Sequence, residues 1–220
     1  MKRKIILTAD GSKTIHLEDW NEQYHSKHGA IQEAYHVFIE MGLRRFRNTD
    51  ISLLEIGFGT GLNAIITLIE AQKLNLHLDY VGIEAFPVEE EVVSELNYIE
   101  QLGAERYEKI FQRMHAMKWG DKEEIFKNFH FIKRQMHFES INDTDLFNLI
   151  YFDAFGPRVQ PDLWTVAIFE KMYGSLKPGG ILVTYSAKGS VRRAMQEVGF
   201  DVERLAGPPG KREMLRATKA

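Results

Sequence analysis

The nine residues Glu55–Asn63, EIGFGTGLN, constrain the fold more than any other part of the chain. Three glycines stand between the apolar run Ile51–Ile56 and the helical pattern Leu62–Leu74. Glycines in a strand-to-helix turn permit positive φ angles and let the backbone approach a ligand closely. The helix that follows offers free N–H groups at its start. The segment therefore predicts an α/β sheet with a cofactor loop, although glycine spacing alone is shared by NAD and S-adenosylmethionine binders.

Short β-rich runs alternate with helical patterns from residue 51 onward, which is typical of a parallel sheet with crossover helices. We predict a class I Rossmann-like α/β fold: a mostly parallel seven-stranded sheet with a terminal antiparallel strand and helices on both faces. At 220 residues the chain has room for one domain. We expect residues 1–50 to form an N-terminal extension, a hairpin and a helix, that packs on a catalytic domain at 51–220. Besides the segments above, the predicted strands are His77–Glu84, Asn128–Phe138, Leu146–Asp153, Ile181–Tyr185, Phe200–Leu205 and Arg212–Ala217, the predicted helices are Val88–Leu102, Pro161–Leu176 and Ser190–Val198, and Lys177–Gly180 is a predicted turn.

Composition excludes several kinds of chemistry. The chain has no cysteine, so disulfides, thiolate catalysis and cysteine-based zinc sites are excluded, and the spacings of its eight histidines match no metal motif. No run approaches the roughly 18 apolar residues of a membrane helix, and the start is not a secretory signal. We therefore expect a cytoplasmic protein with no metal and no membrane partner. Its net charge is −3, but from residue 186 onward eight Lys and Arg residues stand against four acidic ones, a local basic surface that RNA can contact.

Two glutamates favour S-adenosylmethionine over NAD. Glu84 ends the second predicted strand, where a carboxylate can accept hydrogen bonds from ribose hydroxyls in either cofactor class. Glu55 lies beside the glycine loop, where a carboxylate can meet the ammonium group of the methionine moiety, and S-adenosylmethionine carries no pyrophosphate to neutralise. A methyltransferase is therefore the favoured interpretation.

Asp153 is the candidate catalytic residue. It stands at the carboxyl end of a central predicted strand, in YFDAFGP, where ligands of open α/β sheets lie. An alkylamine is about a thousand-fold protonated at pH 7, and only its neutral form attacks a sulfonium methyl group. Asp153 can accept hydrogen bonds from the amine and align its lone pair. An ordinary carboxylate is a poor base, so positioning is the role we predict.

Several segments together resemble the methyltransferase domain of the MnmC family and its stand-alone MnmD form. The resemblance runs from about residue 10 to 217. It implies methylation of the exocyclic amine of 5-aminomethyl-(2-thio)uridine at the tRNA wobble position, with Asp153 beside the amine and Glu84 on the ribose. MnmC proteins also carry an FAD domain, which we do not expect in this chain. The segments that carry the resemblance are Tyr24–Ser26 with Gly29 and Glu33, Glu55–Asn63, Glu84–Pro87, Asp153–Pro157, Gln160–Trp164, Thr184–Ala187, Val191–Arg193 and Gly210–Met214.

The remaining candidate residues concern the adenine, the extruded base and the RNA phosphates. Where relatives have an acid after glycine to meet the adenine amino group, this chain reads Phe138-Glu139-Ser140, so Glu139 or Asp143 takes that place. For the anticodon stem-loop of tRNA, we expect Tyr24, Phe155 or Trp164 to stack on the extruded base. The expected cofactor contacts are Glu55, Gly57, Gly59, Gly61, Asn63, Glu84, Ala85, Phe86 and Asp153, and the expected phosphate contacts are Lys188, Arg192, Arg193, Lys211 and Arg212.

Three alternatives stay open. A spermidine-synthase-like aminopropyltransferase shares the sheet and the strand-end aspartate, but usually has a second acid soon after it, and here none follows until Asp162. A small-molecule amine methyltransferase would leave the basic C-terminal residues unused. A non-catalytic module that binds the cofactor and RNA is the third. The sequence leaves open the oligomeric state, the tRNA isoacceptors and the need for a 2-thio group.

Overall fold

The computed structural model describes residues 2–220 and contains two sheets. The smaller one is a three-stranded antiparallel sheet near the N-terminus, built from β1 (Arg3–Leu7), β2 (Lys13–Leu17) and β3 (Glu22–Gln23). A short helix, α1 (Ala30–Ala34), then continues as a π-helical segment at Tyr35–Glu40. These elements contribute one wall of the cavity described below.

The larger sheet has eight strands in the order β10-β11-β9-β8-β4-β5-β7-β6. Its centre is parallel, and antiparallel pairs occur at both edges: β11 with β9 and β10, and β6 with β7. The predicted mostly parallel α/β sheet is confirmed, with one strand more than expected. The strands are β4 (Asp50–Ile56), β5 (His77–Glu84), β6 (Lys122–Phe126), β7 (Phe129–Gln135), β8 (Phe147–Phe152), β9 (Leu176–Thr184), β10 (Phe200–Ala206) and β11 (Glu213–Lys219).

The additional strand is β6, which forms a hairpin with β7. The chain turns between them at Asn128, whose φ is 62°. Asn tolerates this left-handed conformation better than most residues, which explains why the predicted strand at 128–138 begins one residue later.

Helices cover both faces of the large sheet. Neighbouring strand residues belong to opposite cores: Leu53 and Tyr151 lie in one, Leu54 and Phe152 in the other. These strands have continuous apolar sequences because both of their faces are buried. The helices are α2 (Leu62–Lys73), α3 (Glu90–Ser94), α4 (Tyr98–Gln101), α5 (Glu108–Ala116), α6 (Val166–Ser175) and α7 (Gly189–Val198).

The predicted single helix at 88–102 is wrong, because the chain forms α3 and α4 with a break between them. At the break, the Asn97 side chain accepts a hydrogen bond from the Lys13 N–H (2.8 Å) and donates one to the Gly11 carbonyl (3.0 Å). The Lys13 ammonium also donates to the Glu95 carbonyl (2.9 Å). These contacts with the β1–β2 hairpin outweigh the local helical pattern.

Two other predicted boundaries shift. The helix expected at 161–176 begins as a 3₁₀ turn at Pro161–Trp164, and α6 starts only after Thr165, whose backbone is extended. The turn expected at 177–180 lies within β9 as a bulge, where the pairing with β8 jumps from Phe147–Leu176 to Leu149–Ile181. Pro178, which has no N–H, and Gly179, whose φ is 74°, interrupt the regular hydrogen-bond ladder there.

Within residues 2–220, no helix combines the length and apolar character needed to cross a membrane. Over the same residues, no three His, Asp or Glu side chains converge as a metal site requires.

Candidate active site

Three neighbouring parallel strands bring the central candidates to one edge of the sheet. Gly57 directly follows β4, Glu84 ends β5, and Asp153 directly follows β8. The backbone N–H of Gly57 donates to the Ile83 carbonyl (3.0 Å), and that of Asp153 donates to the Ile56 carbonyl (3.0 Å). The strand ends are therefore held in register at the edge where α/β sheets bind ligands.

The loop after β4 needs its glycines. Gly57, Gly59 and Gly61 have φ angles of 89°, 50° and 73°. A Cβ on Gly57 would lie 2.8 Å from the Asp153 carbonyl oxygen, and one on Gly59 would lie 3.2 Å from the Tyr24 ring. A side chain at any of the three positions would be strained, and at Gly57 or Gly59 it would also take up space at the cavity wall.

A cavity of about 830 Å³ opens at this edge of the sheet. Its walls are the glycine loop, the ends of β5 and β8, and the N-terminal segment from residue 17 to 33. Predicted site residues that line it are Tyr24, Gly57, Gly59, Asn63, Glu84, Ala85, Phe86, Asp153, Phe155 and Lys211. Predicted site residues outside its lining are Glu55, Gly61, Trp164, Lys188, Arg192, Arg193 and Arg212.

Glu84 is oriented by the backbone around it. Its two carboxylate oxygens accept the N–H groups of Gly59 (3.0 Å) and Phe86 (2.9 Å). Burial raises its pKa above the ordinary value, although these hydrogen bonds act in the opposite direction. Each oxygen can accept more than one hydrogen bond. The carboxylate can therefore still receive hydroxyl donors from the cavity, as a ribose would supply.

Asp153 faces the cavity and is held from behind. Asn63 Nδ2 donates to Asp153 Oδ2 at 2.8 Å. Burial and the charge of Glu33 raise the pKa of Asp153 to about 7, while the hydrogen bond from Asn63 and the charge of Lys211 lower it. Near neutral pH both protonation states are populated, so this carboxyl group can accept and release a proton.

Glu55 lies behind the loop. It is fully buried, and the Tyr80 hydroxyl donates to its Oε2 at 2.7 Å. Burial raises its pKa well above the ordinary value. The structure thus separates Glu55 from the other candidate carboxylates, because Glu84 and Asp153 line the cavity and Glu55 does not.

An aromatic cluster forms part of the cavity wall. The ring of Phe155 makes edge-on contacts with Tyr24 (centroids 5.0 Å apart) and Trp20 (5.7 Å). Trp164 instead lies in the core against Phe152, and its indole N–H donates to the Phe155 carbonyl (2.8 Å). Sequence reasoning missed Trp20, which lies in the turn before β3 and outside the segments that carry the family resemblance.

The basic candidates occupy two different environments. The Lys211 ammonium lies 2.6 Å from Glu33 Oε2 and 3.8 Å from the centroid of the Tyr185 ring, inside the cavity wall. Lys188 is exposed between β9 and α7, directly before the helix begins, and Arg193 is exposed within α7. Neither of these two, nor Arg192 or Arg212, forms an ion pair with a carboxylate in the part of the chain that the structure describes.

Of the two candidates for an adenine contact, one faces the cavity. Glu139 lines it, whereas Asp143 does not. Both carboxylate oxygens of Asp143 accept hydrogen bonds from Arg134 Nη1, at 3.0 and 2.8 Å. The geometry therefore favours Glu139.

Comparisons with known proteins identify relatives that are similar over nearly the whole of this chain. MnmC of Pseudoalteromonas atlantica, named for tRNA 5-methylaminomethyl-2-thiouridine biosynthesis, is 28% identical over 96% of this chain and 32% of its own length. MnmC of Leptospira interrogans is also 28% identical, over 96% of this chain and 34% of its own length. This chain therefore spans about a third of the length of these curated relatives.

Solved structures show the same fold. MnmC2 from Aquifex aeolicus superposes with a TM-score of 0.77 at 25% identity, covering 98% of this chain and 70% of that one. Spermidine synthase from Thermotoga maritima, at a TM-score of 0.54 and 14% identity over 99% of this chain and 73% of its own, shares the fold alone.

A family sequence profile supplies the assignment. The profile described as "S-adenosyl-L-methionine-dependent methyltransferase" matches residues 95–220, more than half of the chain. With the Rossmann-like sheet, the glycine loop and the strand-end carboxylates in place, the chain belongs to the S-adenosyl-L-methionine-dependent methyltransferases, and S-adenosyl-L-methionine is its cofactor.

Proposed function

We propose that this methyltransferase modifies the exocyclic amine of 5-aminomethyl-(2-thio)uridine at the wobble position of tRNA, giving 5-methylaminomethyl-(2-thio)uridine. Support comes from relatives named for tRNA 5-methylaminomethyl-2-thiouridine biosynthesis, which are similar over nearly the whole of this chain. Action on tRNA also implies a cytoplasmic location.

The observation that carries the proposal is Asp153, enclosed at the cavity wall with its pKa raised to about 7. When bound, the cofactor supplies an electrophilic methyl group on a sulfonium. The substrate amine must first lose a proton, and its ordinary pKa is about 10.4. Transfer of that proton to an ordinary aspartate costs about 9 kcal/mol, and transfer to a group with a pKa near 7 costs about 5 kcal/mol. Asp153 is thus suited both to take the proton and to hold the neutral amine through an N–H···O bond.

The cavity also offers groups that suit the cofactor. Backbone of the glycine loop can approach its amino-acid portion, Glu84 can accept the ribose hydroxyls, and Glu139 can meet the adenine amino group. The volume of about 830 Å³ leaves room for a nucleobase beside the cofactor.

For the tRNA, an aromatic wall and an exposed basic region supply complementary contacts. We propose that Tyr24, Phe155 and Trp20 stack on the extruded base. Phosphates of the anticodon stem-loop would then meet the exposed cations that lie outside the cavity lining. These cations are Lys188, Arg193 and Arg212, together with Arg192, which is half-buried.

The test is methyl transfer from labelled S-adenosylmethionine to tRNA isolated from cells that lack this protein, followed by mass spectrometry of the nucleosides. Gain of one methyl group on 5-aminomethyluridine supports the proposal. Asp162 lines the cavity and could hold a diamine, so the assay includes putrescine with decarboxylated cofactor. Product from that mixture, with none from tRNA, would favour an aminopropyltransferase.

A further inference from the structure

Glu55 is a buried acid that the proposed reaction does not use. It is 0% exposed, and the donor that the structure gives its carboxyl group is the Tyr80 hydroxyl, at 2.7 Å from Oε2. The charges that act on it most, those of Asp153 and Glu84, have the same sign as its own. No Lys, Arg or His within residues 2–220 pairs with it. A carboxylate in such a place lacks compensation, so the group is stable there as a neutral acid.

The neighbouring Asn63 side chain and the Glu55 carboxyl group each have one buried oxygen without a hydrogen-bond partner. Asn63 lies within hydrogen-bonding reach of the Glu55 carboxyl group, where it acts to lower the pKa of Glu55 against the larger opposing effect of burial, and its Nδ2 donates to Asp153 Oδ2. Two buried acceptors, Glu55 Oε1 and Asn63 Oδ1, have no donor in the structure. Buried polar atoms are almost always hydrogen-bonded. A proton on Glu55 Oε1, donated to Asn63 Oδ1, satisfies both atoms at once.

We propose that Glu55 is a positioning residue: as a neutral acid it donates to Asn63 Oδ1 and thereby fixes the Asn63 amide with Nδ2 on Asp153. The proposal rests on the proposed function in that Asp153 is taken to face the substrate amine. With the amide fixed this way, Asp153 Oδ2 is occupied from behind and Oδ1 is left to accept the amine N–H. If Glu55 were ionised, the Asn63 amide would turn to donate to it, and its Oδ1 would then face Asp153. Asp153 would then have to carry a proton on Oδ2 to donate to Asn63, and it could no longer take the proton of the substrate amine.

This role differs from the one that the sequence predicts for Glu55. A partner for the cofactor ammonium has to be charged and has to face the cavity, and Glu55 is buried behind the loop. The two roles predict opposite results for a neutral side chain of the same shape at position 55.

The test compares Glu55→Leu with Glu55→Gln. Leucine removes the donor to Asn63, and we expect kcat for methyl transfer to fall about tenfold or more while the cofactor Kd stays within several-fold. The pH profile of kcat should also shift in Glu55→Leu, because the pKa of Asp153 depends on the hydrogen bond from Asn63. Glutamine keeps an N–H donor for Asn63 and a carbonyl acceptor for Tyr80, so it should restore kcat to within about threefold of wild type. A loss of cofactor affinity above tenfold in Glu55→Gln would overturn the proposal.

Infrared difference spectroscopy gives a second readout if Glu55→Leu does not fold. The wild-type minus Glu55→Gln spectrum at pH 8 should contain the carbonyl band of a protonated carboxylic acid. Carboxylate bands in its place would refute the neutral state. Neither this spectrum nor cofactor binding needs tRNA. A protein that passes both tests and leaves aminomethyluridine unmethylated would therefore refute the proposed substrate and not the state of Glu55.

Discussion

Replacing Asp153 by Asn should stabilise the fold at alkaline pH while it removes methyl transfer. The pKa of Asp153 rises from 3.8 to about 7 on folding. The folded state thus binds this proton more tightly than the unfolded chain does. The contribution to stability is fully present below pH 3.8 and is lost as the pH rises through about 7. Asn carries no charge, keeps an acceptor for the Asn63 amide, and has no such pH dependence.

The size of the stability difference follows from the pKa shift of Asp153 on folding. Three pKa units correspond to about 4 kcal/mol, and we take about half, ~2 kcal/mol, because the carboxyl group faces a cavity that solvent enters. At pH 8 the free energy of unfolding of Asp153→Asn should exceed that of the wild type by about this amount, raising Tm by roughly 4–8 °C in a chain of this size. Towards pH 4 the two proteins should converge.

The assay is urea unfolding of both proteins from pH 4 to 8, combined with methyl-transfer rates and cofactor binding. We expect kcat to fall by about 100-fold or more, as removal of a proton acceptor typically does, and the cofactor Kd to change only several-fold. A stability difference that is constant across the pH range would mean that the pKa of Asp153 is ordinary. Unimpaired turnover would refute its assigned role.

Three further substitutions test the loop, the RNA contacts and the cavity wall. Gly57→Ala forces a side chain into φ 89° and against the carbonyl that follows β8, so we expect about 1–3 kcal/mol lower stability by chemical unfolding and weaker cofactor binding by calorimetry. Lys188→Ala should weaken tRNA binding and reduce its salt slope by about one, while the exposed Lys109→Ala in α5 serves as the matched control. An unchanged salt slope would mean that Lys188 is an ordinary solvated residue that does not contact RNA phosphates. Lys211→Ala leaves the buried Glu33 carboxylate without its cation and should cost about 1–2 kcal/mol in thermal unfolding, whereas Lys211→Arg should retain most of that stability.

The sequence determined the frame of the site because that frame depends on local patterns and one topological rule. Apolar runs that end at glycine or at an acid predict buried parallel strands, and β5 runs over His77–Glu84 as expected. Carboxyl ends of parallel strands share one edge, so the glycine loop, Glu84 and Asp153 come together whatever their separation in the chain.

Tertiary structure decided which side chains face the cavity, because that depends on contacts between distant segments. Lys211 is paired with Glu33, 178 residues away, and Trp164 is buried against Phe152. The break between α3 and α4 likewise comes from a hairpin more than 80 residues earlier. Periodicity reports that a residue is buried, but not which neighbour buries it. Only the packed chain shows that Glu55 is enclosed behind the loop, whereas Asp153 has one carboxylate oxygen facing the cavity. This difference in surroundings decides the chemistry available to each carboxyl group.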